Sequence, residues 1–290
     1  IADAYDLPLD YQACSGAVTA DVRSNQLGAL NSGTSHVTLT IGGNDAGFAD
    51  VLTECALPGW LSDCEGAIAD GLAVIENELP GRYDDLFTAV GGAAPNAVVA
   101  VGGYPRLFNG EDCNAGTFFS PGEQAALNAG VDTLNTLLAD KAAAHDFSYV
   151  DPRGAFAGHA VCDDTEWING LSYPIEESYH PNRDGNRGYA ALLGPVLTGT
   201  PFAPTVLARR AAADRPSRSL APTPREEAEA VLSFDLDSPA NLAAAERHGI
   251  APNEIERLAR MLRSDDLRTV RQALRSLQRL DRAVSAGPAR

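Results

Sequence analysis

Several things are scarce in this chain. No apolar run approaches the roughly 18 residues that a helix needs to cross a bilayer, so a spanning helix is excluded. Its five cysteines (Cys14, Cys55, Cys64, Cys113 and Cys162) include no C-x-x-C pair, which removes the usual zinc-ligand spacing. A P-loop, a G-x-G-x-x-G turn and paired carboxylates at metal spacing are also missing. Basic residues are rare in the first two hundred positions, where 7 Lys/Arg stand against 27 Asp/Glu and leave a net charge of −20. Such a surface repels nucleic acid and anionic membranes. The chain starts at Ile1, with no initiator Met and neither the basic nor the apolar region of a signal peptide.

What is present is ordinary for a folded chain: 290 residues, 44% hydrophobic and 21% charged. Asp10–Cys14 reads as a short strand and Val18–Leu30 as a helix that Thr19 and Asp21 could cap. Val37–Ile41 (VTLTI) is a β-branched run opening into Gly42-Gly43-Asn44-Asp45, and Ala97–Val101 (AVVAV) is a run suited to burial on both faces. Helical stretches lie between them, another spans Leu127–His145, and a last short strand covers Phe147–Val150. Strands alternating with longer helices predict βαβ units, hence a three-layer α/β/α sandwich around a parallel sheet.

Texture changes near Gly199. Residues 1–199 form the α/β part, 200–232 read as a linker rich in Pro, Ala and Arg (Arg209, Arg210, Pro216, Pro222, Pro224), and 233–290 return to helix signals. Ser238-Pro239 opens one helix, Gly249 stops it, and Ser264-Asp265-Asp266 opens another. In that last helix Leu267, Val270, Leu274, Leu277 and Val284 keep helical spacing, as do Arg268, Arg271, Arg275, Arg279 and Arg282. It is a cationic amphipathic helix. Its basic face could be solvated, dock on the acidic first domain, or bind an acidic partner.

In parallel α/β sheets ligands gather at the loops after the strands. Three such loops carry chemistry: Cys14-Ser15-Gly16, Gly42-Gly43-Asn44-Asp45 and Ser178-Tyr179-His180-Pro181-Asn182. A glycine N–H, an Asn amide and a histidine at one end of a sheet would supply two oxyanion donors and a general base. Asp45 reads as a structural group fixing the turn around Asn44, and His36, His145, His159 and His248 as structural or surface residues.

ACSGA (Ala13–Ala17), LTIGGNDAGF (Leu39–Phe48), GGYPR (Gly102–Arg106) and SYHPN (Ser178–Asn182) occur in this order across Asp10–Val196. Together they resemble the SGNH hydrolases, the GDSL esterase/lipase family, in its secreted actinobacterial lipase and phospholipase branch. The resemblance implies a flavodoxin-like SGNH fold, serine esterase chemistry on a small-molecule or lipid ester, no cofactor, and an extracellular location. It assigns Gly16 and Asn44 to the oxyanion hole and His180 to the base, with Glu177, three residues earlier, or a backbone carbonyl orienting the imidazole. It also implies two disulfides, Cys55–Cys64 and Cys113–Cys162, contributing about 3 to 4 kcal/mol each by loop entropy.

One element of the family pattern has no counterpart. The nucleophilic Ser sits there in a Gly-Asp-Ser turn upstream of the second block, and no Gly-Asp-Ser occurs in this sequence. Ser15 lies in the second-block loop with no neighbour to activate it. Two accounts compete: a chain that begins after the first block, and a non-catalytic binding protein whose helical tail engages a partner. The unpaired Cys14, whose family partner is also upstream, favours the first. The family's strand order would then place the missing first strand between Asp10–Cys14 and Val37–Ile41, leaving a gap unless those two strands close up.

Overall fold

The computed structural model describes residues 1–202 and 221–285. Its sheet has three parallel strands in the order β1 (His36–Leu39), β2 (Val98–Gly102), β3 (Ser148–Val150). Val37 pairs with Val99, and Val101 with Tyr149. Successive β2 side chains point to opposite faces, and both faces are covered. Val99 and Val101 meet Leu79, Tyr83, Leu86 and Phe87 of α5 (Leu79–Ala93) and Leu134 and Leu138 of α6 (Pro121–Ala144). On the other side Ala100 packs with Leu193 and Leu197 of α7 (Arg183–Thr198). The β-branched runs thus form the predicted three-layer α/β/α sandwich. Helix α6 starts six residues before its expected first position, because Ser120 and Glu123 form a reciprocal capping box with Pro121 at the first helical position.

The N-terminal elements differ from expectation. After the single turn α1 (Ala2–Tyr5), residues 10–14 form no strand and lie exposed. They do not close up on β1, which remains the sheet's outer strand among the described residues. An isolated extended segment gains no ladder bonds, so its backbone stays with water. The expected Val18–Leu30 helix is broken into α2 (Thr19–Asp21), a π turn at Val22–Gln26 and a 3₁₀ turn at Leu27–Ala29. Asp21 accepts the Val18 N–H at 3.1 Å, while Thr19 is held elsewhere, as described below.

Helices α3 (Phe48–Cys55) and α4 (Cys64–Asn77) are joined by the Cys55–Cys64 disulfide. The second disulfide, Cys113–Cys162, fastens the excursion after β2 to the segment before His180, with Cα atoms 5.8 Å apart.

Among the described residues four helices follow: α8 (Pro224–Leu232), α9 (Pro239–Arg247), α10 (Pro252–Leu262) and α11 (Leu267–Ser285). Helix α8 corrects the reading of 200–232 as linker throughout. Thr223 and Glu226 form a capping box there, with Pro224 at the first helical position, a local signal that outweighs the Pro/Ala/Arg composition. The linker residues 203–220, including Arg209, Arg210 and Pro216, lie outside the described residues. Val270, Leu274 and Leu277 of α11 are buried as their spacing predicts, but Leu267 is 42% exposed.

These helices share a core with the α/β part, since Trp60 and Phe118 pack among Val231, Ile255, Leu258 and Leu274. Polar contacts reinforce the junction. Glu227 accepts the Ala115 N–H at 3.0 Å, Gln278 donates to the Asn114 carbonyl at 2.9 Å, and Asp281 accepts the Gly59 N–H at 2.6 Å. Asp281 is only 6% exposed, and burial pushes its carboxyl up to about 6, with Glu123 and Asp112 nearby adding to the rise. The folded chain therefore keeps this proton across a range, about pH 4 to 6, in which the unfolded chain has released it. Stability drawn from this group falls as pH rises through that window, by roughly 2 to 3 kcal/mol. Asp281→Asn is expected to remove that slope and to be more stable than wild type at pH 8, by about 1 to 2 kcal/mol after losing the charged acceptor for Gly59. Urea melts of both proteins at pH 4, 6 and 8 check this, and parallel pH profiles would contradict it.

Candidate active site

Gly42 opens the turn after β1 at φ +109, a backbone region that suits glycine. A Cβ here would stand 1.7 Å from the hydroxyl oxygen of buried Tyr83, which itself donates to the Ile41 carbonyl at 2.8 Å. The next residue, Gly43, donates its N–H to the Tyr104 hydroxyl at 3.0 Å. Burial pushes the Tyr104 phenol up to about 12, so it remains a neutral hydroxyl at any physiological pH. Tyr104 is clamped in turn: its N–H donates to the Asn135 side-chain oxygen and its carbonyl accepts the Asn135 amide, both at 2.7 Å. The GGYPR segment thus supports the floor of the Asn44 turn.

Asn44 is exposed at the tip of that turn and donates one side-chain N–H to the Ala17 carbonyl at 3.1 Å. A carboxamide has two N–H donors, so one fixes its orientation and one is left over. Gly16, next to Ala17, is exposed at φ +77, and its N–H has no partner among the described residues. The structure therefore brings both expected oxyanion donors into one neighbourhood.

The Asp45 carboxylate does not bond the backbone of its own turn among the described residues; it reaches Thr19 and Arg82 instead. Its side chain is 1% exposed and takes the Thr19 N–H at 2.9 Å and the Thr19 hydroxyl at 2.7 Å, while Arg82 approaches to 3.2 Å. This carboxylate locks the start of α2 to the Asn44 turn across 26 residues of sequence, a partner that local sequence could not reveal.

His180 follows a strained approach, with Tyr179 at φ +59 and its side chain buried against Phe108 and Phe119. The backbone around it is pinned. Asn169 donates its N–H to the His180 carbonyl, and its own carbonyl accepts from Tyr179, both at 3.0 Å. The imidazole lies edge-on to Phe48, 6.2 Å between ring centroids, and Phe48 donates its N–H to Gly43 in the asparagine turn. The base loop and the oxyanion turn are thereby in contact.

The imidazole is oriented by Ser178, whose carbonyl oxygen lies 2.9 Å from Nδ1. Of the two orienting groups that the family resemblance offers, the ring meets a backbone carbonyl and not Glu177. That side chain is exposed and meets no partner among the described residues, because the 3₁₀ turn Ile175–Glu177 directs its carbonyl, not its carboxylate, into the loop, where Asn169 donates to it at 3.0 Å. A carbonyl only accepts, so Nδ1 carries the proton and Nε2 of the neutral ring keeps its lone pair. No described residue occupies Nε2. Ser15 is exposed in its loop and makes no hydrogen bond to His180.

Among the other histidines, His145 reaches Asp84 at 3.2 Å and His159 stacks on Trp167 with centroids 4.0 Å apart, both structural arrangements. Carboxylate and sulfur atoms of Cys113, Cys162 and Glu166 cluster, but the two sulfurs are bonded to each other, which removes them as metal ligands.

Comparison with known proteins gives the family. The profile of the GDSL-like lipase/acylhydrolase family matches residues 1–187. Lipase 1 of Streptomyces coelicolor is 45% identical over 192 residues, which cover 66% of this chain and 69% of that protein. Among solved structures, the extracellular lipase from Streptomyces rimosus superposes with a TM-score of 0.60 at 42% identity, covering 66% of this chain and 79% of that one. Phospholipase A1 from Streptomyces albidoflavus does so with a TM-score of 0.60 at 43% identity, covering 67% and 80%. The chain belongs to the GDSL-like lipase/acylhydrolase family.

Proposed function

We propose that residues 1–199 carry the base and oxyanion half of a serine-type carboxylic ester hydrolase acting on lipid esters outside the cell, and that the nucleophile lies outside these 290 residues. The observation that carries the reading is the His180 ring, tied by Nδ1 to the Ser178 carbonyl with Nε2 unoccupied among the described residues, in a loop that meets the Asn44 turn through Phe48. In this mechanism Nε2 takes the proton of a serine hydroxyl as its oxygen attacks the ester carbonyl. Gly16 N–H and the second Asn44 N–H receive the oxyanion. The imidazolium then returns the proton to the leaving alcohol, and water reverses the sequence to release the acid. The Ser178 carbonyl holds the tautomer throughout, so no carboxylate is needed for orientation. The two disulfides suit an oxidising, extracellular setting.

The alternative is a non-catalytic member of the family that binds rather than cleaves, favoured by the absence of any Gly-Asp-Ser. One pair of assays separates them. The chain 1–290 is expected to show no His180-dependent hydrolysis of p-nitrophenyl esters. A chain carrying a relative's Gly-Asp-Ser strand and turn ahead of Ile1 is expected to gain it, and Asn44→Ala in that chain to lower kcat by about 10²- to 10³-fold. Unchanged turnover in Asn44→Ala would refute the oxyanion role. A correctly folded fusion that stays silent would favour the binding protein.

A further inference from the structure

The family profile ends at residue 187, so α8–α11 are an addition to it. Helix α11 holds five arginines and one acid, Asp281, which is buried. Arg268, Arg271, Arg275, Arg279 and Arg282 are all exposed, and none has a salt-bridge partner among the described residues. At 3.6 residues per turn they fall within an arc of about 80° and run along about 21 Å of helix. No lysine occurs after residue 141. The helix is attached to the α/β part through Gln278 and Asp281; Arg282 lies within electrostatic reach of Asp112 and Asp281 and Arg271 of Glu227, without an ion pair to any of them, and Arg268, Arg275 and Arg279 complete the strip.

We propose that this arginine strip is a docking surface for anionic phospholipid membranes. Guanidinium groups match phosphate oxygens bidentately, which lysines do not. Val270, Ala273, Leu274 and Leu277 are buried in the bundle, so the helix cannot lie in a bilayer on an apolar face. Contact is made through headgroup phosphates, with Leu267, exposed beside Arg268, as the one shallow apolar tip. A convex strip on a bundle suits a flat lipid surface, which need touch only the side that faces it. A DNA duplex, whose major groove also admits a helix, is the competing polyanion and forms an arm of the test below. A chain whose first 200 residues carry −20 would otherwise be repelled from an anionic interface. The biological use of this docking rests on the lipid-ester function above, but the binding itself is read without turnover.

Co-sedimentation of the 290-residue protein with phosphatidylglycerol and phosphatidylcholine vesicles tests it. Binding is expected to the first and not the second, and to fade in high salt as exposed charges are screened. At about fivefold per arginine, neutralising Arg268, Arg271, Arg275 and Arg279 together to Gln should weaken binding by roughly 10²- to 10³-fold. Arg275→Gln alone should cost about fivefold and Arg275→Lys less. These single variants retain the helix if the fourfold one does not. Equal binding to both vesicles, no binding to either, or binding that Arg275→Gln and the fourfold variant leave unchanged would overturn the proposal. So would a 30-base-pair DNA duplex that binds more tightly than phosphatidylglycerol vesicles.

Discussion

His180→Ala, made in a chain that carries a relative's Gly-Asp-Ser strand and turn ahead of Ile1, is expected to lower kcat on p-nitrophenyl butyrate by about 10⁴-fold or more. General-base removal from an acyl-transfer site that works as a unit has costs of this order. The prediction is larger than that for Asn44 because Nε2 handles the proton in every step, whereas the amide shares the oxyanion with Gly16. Glu177→Gln in the same chain should leave kcat within about twofold, since the Ser178 carbonyl accepts the Nδ1 proton and the Glu177 carboxylate is exposed. A Glu177→Gln loss comparable to that of His180→Ala would show that the carboxylate turns inward during catalysis.

Replacing Cys113 and Cys162 together by Ser is expected to destabilise the protein by about 4 kcal/mol, because the bridge closes a long loop in the unfolded chain. The Cys55–Cys64 bridge, with a separation of 9 residues against 49, should contribute less, near 2.5 kcal/mol by the same relation. The longer bridge also holds the excursion containing Leu107 and Phe108 against Val161, whose N–H donates to Leu107 at 2.9 Å. Its loss should therefore loosen the wall behind Tyr179 and the His180 loop. Calorimetry with and without reductant, on wild type and each pair variant, measures both terms. A midpoint that does not move on reduction would contradict the loop-entropy account.

The parallel sheet was legible because VTLTI and AVVAV are apolar, β-branched runs with turn residues after them, and burial on both faces needs little more. Asp10–Cys14 misled for the opposite reason. Strand propensity in a short segment is realised only against a neighbour, and none pairs with it here. The site was legible at its loops, where Gly16, Asn44 and His180 are side-chain or glycine signals. What escaped was carried by backbone and by distance. The resemblance offered a backbone carbonyl for His180, but carbonyls look alike in every residue and only the structure points to that of Ser178. Asp45 reaches Thr19, and Tyr104 supports Gly43, across separations that no local pattern encodes. Helix α8 was obscured differently, since a Thr-Pro-Arg-Glu capping box sat inside a stretch whose overall composition reads as linker.

The site account turns on one feature, an imidazole whose proton sits on Nδ1 and whose Nε2 is free to take another. Nitrogen-15 NMR of the imidazole ring in the 290-residue chain, assigned through His180→Gln and recorded with the ring neutral, reads that directly. The predicted spectrum has a protonated, pyrrole-like Nδ1 coupled to the Ser178 carbonyl and an unprotonated, pyridine-like Nε2. A neutral ring protonated at Nε2 instead would contradict the account, because that tautomer could neither donate to Ser178 nor accept a proton from serine.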